Sequence, residues 1–335
     1  MTATDHRAGA GYAHTDTHVL LLGLAGRVPD EALAEMRLCL ADGEMAELAS
    51  LLAVQVAGLT LTETEAELVR ALTGEATPGV GAPPTLPYRF GDRHGVPPVP
   101  GRDVPADAMD EVVVEAVTRV GGLVALWRVF RHASAGPPER VYLGEAEPGA
   151  DVVELTAETQ YALTRASDDV PRVEVFTEGT PLGPYHEAAL DGASLVWPAP
   201  VVPIRLARAF DGADPGDGPF FAAGHARLEG PDGERVLAYL RSAELVVNTP
   251  GAMNDVLDVS RVAAVPVGFR SDGEWVWSDA VAYYLKRHGL APEPDLLAHI
   301  LTRTSPPGGL GRLTRHRALA TLFAPAEGGP VWQAG

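Results

Sequence analysis

The chain has 335 residues, 46% of them hydrophobic, with 45 acidic against 26 basic side chains and a net charge of −19. That is enough apolar material for one large or two small cored domains, and it excludes a wholly disordered chain. The acidic excess argues against nonspecific binding to nucleic acid or to an anionic membrane, since both need a concentrated basic surface.

Residues 1–14 read as a disordered leader, with no basic stretch followed by an apolar signal core. Asp16 or Thr17 can then cap a short apolar helix over 19–28. Residues 19–24 are much too short to span a bilayer, so a cytoplasmic protein is the expectation. His14-Thr-Asp-Thr-His18 is the one close His/Asp cluster, and imidazole with carboxylate suits zinc or iron. It straddles the leader and the helix cap and has no fourth ligand nearby, so no metal is expected.

Pro29-Asp30-Glu31 makes a good first turn for a helix over 32–40, where proline is tolerated and acids suit the dipole. Cys39, the single cysteine, shares an apolar helical spacing with Leu33, Met36 and Leu40. It reads as a buried structural thiol, and neither a disulfide within the chain nor a paired-thiolate metal site is open to it. Ala41-Asp42-Gly43 ends this helix, and 44–55 forms the next, with Met45, Leu48 and Leu52 on one face. Thr62-Glu-Thr-Glu65 matches a capping box and opens a helix that closes at Gly74. Short connections favour antiparallel neighbours, so 15–75 reads as a small helical bundle.

Residues 76–105 are rich in proline and glycine and lack periodicity, which predicts a linker. A mixed α+β domain follows over 106–325, and each side carries its own apolar periodicity, so the larger piece is expected to fold alone. Its pattern predicts helices at 109–120, 156–164 and 184–190. Strands are expected at 122–130, 140–143, 151–155, 172–176 and 193–197, then at 201–205, 220–228, 235–240 and 244–247. Asp/Gly-rich loops separate the later strands at 211–218 and 230–233. The first of these lacks the alternating acids and closing Glu of a calcium loop, so it reads as a polar hairpin. No internal repeat stands out.

The most sharply patterned stretch is 267–300. Asp272-Gly273 tolerates the positive φ of a tight hairpin. Ser278 can cap the helix that follows, Lys286, Arg287 and His288 load its C-terminus, and Gly289 ends it. Lys286 is the sole lysine, and arginine use together with abundant Ala, Gly and Pro suggests a GC-rich, actinobacterial genome. The basic stretch 286–317 reads as helix-end charges followed by a solvated tail.

Two groups of side chains are candidates for function. Glu178, His186 and Glu187 lie where a strand gives way to a helix, with His186 a candidate base and either glutamate its partner. The catalytic set itself stays open, because neither a phosphate loop, a dinucleotide fingerprint nor a nucleophile elbow occurs. Arg270, Asp272 and Glu274 flank the hairpin turn beside Trp275 and Trp277, which share one strand face as a binding platform would. The competing account packs both tryptophans against the next helix, with Tyr284 and Leu285 as partners.

The block GFRSDGEWVWSDAVAYYLKRHGLAPEPDLLAHI is similar to a C-terminal segment that recurs in poorly characterised actinobacterial proteins, some at secreted-toxin or secretion-system loci. The stretch VEVFTEGTPLGPYHEAALDGASLVWPAP resembles the strand–helix–strand unit of SseB-like proteins, whose pattern does not include the leading helices. The two resemblances imply an interaction or accessory role and bring no catalytic motif. The leading expectation is therefore an interaction, immunity, chaperone or adaptor protein without a cofactor, taking a protein partner, one of basic character in particular; a homo-oligomer is compatible with it. The alternative is an enzyme, a hydrolase or transferase, with an acid–base site at strand ends of the larger domain.

Overall fold

The computed structural model describes residues 4–75, 79–82, 86–167, 169–199 and 202–324, with the backbone alone for 4–13. The chain is α+β, with helices preceding a sheet-containing region. It divides into two compact units, the first built from 1–99 and 103–199, the second from 100–102 and 200–335. This boundary differs from the expected one at 75–106, and the reason lies in the first unit's core.

The first unit opens with α1 (Thr4–Gly23), α2 (Asp30–Asp42), α3 (Met45–Val56) and α4 (Glu63–Thr73). Helix begins well inside the expected leader, because no proline breaks the backbone there. Asp16 and Thr17 accordingly lie within α1 and do not cap it. Gly43 closes α2 in the left-handed conformation. At α4 the capping box is formed: Thr62 Oγ1 accepts from Glu65 N at 3.2 Å, and Glu65 Oε2 accepts from Thr62 N at 2.8 Å. Leu20, Leu24, Met36, Leu40, Leu48 and Leu52 form the core among these helices.

That core continues beyond the helices. Tyr185 is buried within it, and Leu86, Tyr88 and Phe90 pack against it. The expected linker holds β1 (Arg89–Gly91), a strand of the sheet. Then come α5 (Ala108–Val120), β2 (Leu123–His132), β3 (Glu139–Ala146), α6 (Val152–Ala166), β4 (Val173–Thr177), α7 (Pro184–Asp191) and β5 (Ser194–Pro198). In the sheet β2 pairs antiparallel with β3, and β3 parallel with β4 across the α6 crossover. Both β1 and β5 pair with β2, at its C-terminal and N-terminal halves respectively. Residues 151–155, expected as a strand, start α6 instead. The Asp151 carboxylate accepts from Val153 N and Glu154 N, a cap that decides the conformation of an otherwise ambiguous apolar run.

Long-range ion pairs bind the helices to the sheet. Asp30 in the first turn of α2 accepts from Arg131 on β2 and from Arg172 Nε at 2.7 Å. Gln160 on α6 donates to Ala34 O at 3.0 Å. The helical region 15–75 and the sheet therefore share one interior.

The second unit contains β6 (Arg205–Leu206), β7 (Gly212–Asp214), β8 (Gly218–Phe220), α8 (Gly230–Ser242), β9 (Glu244–Val247), β10 (Ala252–Met253), β11 (Val265–Pro266), β12 (Phe269–Ser271), β13 (Trp275–Ser278), α9 (Asp279–His288), α10 (Pro294–Thr302) and α11 (Arg312–Phe323). Its main sheet runs β6-β13-β12-β9, with β6 parallel to β13 and the rest antiparallel. The hairpin, the Ser278 cap and the left-handed Gly289 stand where the pattern put them.

Three expectations fail in this unit. Residues 230–240, expected as a loop and a strand, form α8: Val236, Tyr239 and Leu240 are buried at helical spacing. Among the described residues the first expected segment, 201–205, enters a strand only at Arg205, and in the second the strand ends at Phe220, so 221–228 carries only an isolated bridge at Arg227. The expected solvated tail holds α11, whose Ala318 is buried beside Ile204 and Val276.

Candidate functional site

The expected trio around His186 does not assemble. Glu178 and Glu187 are exposed, while His186 is buried and directs Nε2 to Glu174 Oε2 at 3.0 Å. The same oxygen accepts from Arg37 Nη2 at 2.5 Å. Burial pushes the Glu174 carboxyl up, but Arg37 and His186 outweigh it and hold it below the usual carboxylate range. The group is a sealed charge network between α2, β4 and α7. His18 lies close by, its Nε2 bonded to Val175 O at 2.8 Å. Burial takes its pKa down to about 4, Arg37 adding to the effect, so the ring is neutral and donates from Nε2. His14 and Asp16 do not join it: among the described residues no group of three or more His, Cys, Asp or Glu side chains could hold a metal.

The second set divides. Arg270 is a structural clamp, donating to Asp279 Oδ1 at 2.7 Å and to the carbonyls of Arg241 and Ala243 at the end of α8. Trp277 is fully buried, with its indole N–H on Leu240 O at 3.2 Å. It packs with Val236, Val281, Leu285, Leu296 and Ile300. Trp275 belongs to the same core but also reaches a cleft, and so does Glu274. Tyr284 packs in a neighbouring cluster with Val265 and Leu290.

This cleft, about 850 Å³, lies wholly within the second unit, among β6, the β12–β13 turn, α10 and α11. Asp272 supports its wall from behind. One carboxylate oxygen accepts from Glu274 N and Trp275 N, the other from Tyr239 Oη at 2.8 Å and His299 Nε2 at 2.6 Å. Burial raises the Asp272 carboxyl, but these four donors more than offset it and leave the group below its ordinary range. His299 is thereby fixed with Nδ1 turned toward Arg303 Nη2, 3.3 Å away, and Arg303 also pairs with Glu274. Arg205 from β6 lies over the Trp275 ring, 5.4 Å from its centroid. Ile204 and Leu313 supply an apolar floor.

The arrangement can orient an imidazole and present a guanidinium beside an apolar surface. Neither serine, cysteine nor lysine is among the described residues lining it. His299, Tyr239 and Arg205 were not singled out by the sequence. His299 and Arg303 share a helical i, i+4 relation that places them on one face, but nothing local joins that face to Asp272. Comparison with known proteins gives no match to a family model, a curated protein or a solved structure.

Proposed function

We propose that the chain is an interaction protein that receives a basic protein partner on the first unit. The observation that carries this reading is a group of carboxylates around α2, α3 and α6. Glu44, Glu35, Glu47 and Asp42 all act on the Cys39 thiol, and after burial they push its pKa up. Asp42, Glu158 and Glu44 act in the same way on Tyr161. None of these five acids is paired with a basic side chain among the described residues. Two thirds of the 45 acidic residues, but fewer than half of the 26 basic ones, fall in the first unit. Such a surface raises the encounter rate with a basic partner and repels a second copy of itself.

An immunity, chaperone or adaptor role in the cytoplasm fits this surface. Among the described residues no helix is long and apolar enough to cross a membrane. The test is affinity purification of the full chain from its native cells, beside a Glu35→Lys/Glu44→Lys/Glu47→Lys variant that alters only exposed positions. A stoichiometric basic partner is expected with the native chain, lost in the variant and weakened as salt shortens the screening length to about 8 Å. Recovery of the chain's own second copy alone, or a partner indifferent to the three reversals, rejects the reading.

The His299–Asp272 pair favours one second reading, the hydrolase or transferase with a site at a strand end. A carboxylate fixes Nε2, and Nδ1, which accepts from Arg303, would move a proton once a substrate displaces that guanidinium. Turnover of a candidate substrate that His299→Gln abolishes, with folding intact, would select this reading over the first.

A further inference from the structure

The cleft of the second unit contains a cation, Arg205, that no described side chain pairs with. Arg205 is exposed and, among the described residues, makes no side-chain hydrogen bond or ion pair. Its one close partner is the face of Trp275, a ring only 5% exposed and held by the hydrophobic core. The cation–π contact holds the guanidinium near the ring and leaves its N–H groups for another partner. The chain has net charge −19, yet none of its described carboxylates pairs with Arg205, in contrast to Arg303 and Arg208 nearby, which pair with Glu274 and Glu293.

The surroundings describe the missing group. Ile204 and Leu313 offer buried aliphatic surface beside Arg205, and the Thr302 and Thr314 side chains line the same space. The two rim carboxylates do not neutralise Arg205. Glu274 is tied to Arg303, and Asp295 sits in the first turn of α10, where the helix dipole favours it. A volume of about 850 Å³ is ample for a small acid or for the end of a peptide.

We infer that this cleft binds a carboxylate carried on an aliphatic body, with Arg205 as the anion-reading residue through its two-pronged N–H edge. This site is separate from the acidic face of the first unit and does not depend on it. The carboxylate has two sources, a free aliphatic acid or the C-terminus of a chain ending in an aliphatic residue.

The experiment uses the full chain, isotope-labelled at arginine, and follows the Arg205 Nε–H resonance, assigned by its loss in Arg205→Lys. Hexanoate, N-acetyl-leucine and N-acetylleucinamide are titrated in turn. Saturable shifts confined to Arg205 and its neighbours are expected for both acids, with binding at least about tenfold weaker for the amide, which lacks the charge-assisted pair. Tighter binding of N-acetyl-leucine assigns the site to a chain terminus, and tighter binding of hexanoate to a free acid. Arg205→Ala should remove acid binding, while Arg205→Lys keeps the charge without the fork and should bind more weakly than the native chain. Because Arg205 is exposed, neither change threatens the core. Equal binding of acid and amide, unchanged binding by Arg205→Ala, or shifts spread evenly over all exposed arginines without saturation would each overturn the assignment.

Discussion

Arg37 on α2 and Glu174 on β4, 137 residues apart in sequence, form an ion pair of 2.5 Å with each side chain only 3% exposed. A buried pair contributes little net stability compared with a well-packed apolar substitute, yet breaking it from one side is costly. Arg37→Ala should therefore destabilise the first unit by about 3–5 kcal/mol, a large share of a typical total. Arg37→Met with Glu174→Leu should recover much of that loss. Urea midpoints of the two variants against the native chain decide it; equal midpoints for all three would refute the buried-pair account.

The same pair revises the expectation that a piece starting at 106 folds alone. Removing 1–75 strips Arg37 from Glu174 and Asp30 from Arg131 and Arg172, and uncovers Tyr185. A fragment of 106–335 should aggregate or lose its near-ultraviolet signal in the first unit's sheet. A cooperative, soluble fragment would contradict this.

His18 gives a pH window with a definite sign. Its pKa falls from 6.5 to about 4 on folding, chiefly through burial. The unfolded chain therefore binds the proton more readily, and the stability that neutral His18 allows is complete above pH 6.5 and lost as pH falls toward 4. Across that range the loss is about 3 kcal/mol, at 1.36 kcal/mol per pKa unit. His18→Gln keeps a donor for Val175 O but does not titrate, so its stability should lose this slope. Denaturation curves at half-unit pH steps test it, and identical slopes in both proteins count against it.

Much of the local grammar was readable from sequence, and the reasons are local. The Thr62–Glu65 box, Gly43, Ser278 and Gly289 each act within a few residues of themselves. The failures have a common physical cause. Short apolar runs such as 151–155 and 235–240 carry no decisive period until a cap or a packed neighbour selects the helix. Likewise Glu174 lies between Val173 and Val175 with no sign that Arg37 and His186 will meet it, and Asp272 lies 27 residues from His299. Trp275 and Glu274 were legible as a pair beside a turn, but the cleft depends on α10 and α11 arriving from far along the chain.

Trp277, fully buried with its indole N–H satisfied, should cost about 3–5 kcal/mol when replaced by Ala, as for other large aromatics in cores. The second unit's melting transition should fall steeply. An unchanged transition would show that the tryptophan does not hold α8, α9 and α10 against the sheet.

Two left-handed glycines separate backbone strain from packing. Gly43 has φ +74° with nothing within 4 Å of an added Cβ, so Gly43→Ala should cost about 1–2 kcal/mol from strain alone. Gly26 has φ +70°, and an added Cβ would lie 2.6 Å from the Tyr185 ring. Gly26→Ala should therefore cost about 1–3 kcal/mol more than Gly43→Ala, the range for an overpacked core. Thermal melts of the two variants measure the difference, and equal losses would remove Tyr185 from the explanation.

The single thiol turns the helical core into a clock. Cys39 is 6% exposed and its thiolate is disfavoured by burial and by four neighbouring carboxylates, so alkylation must wait for α2 to move away. In the regime where closing outpaces labelling, the ratio of its rate to that of a free thiol gives the opening free energy directly. One unmodified cysteine thus reports, without any engineered probe, how often α2 departs from the sheet that Arg37 binds it to.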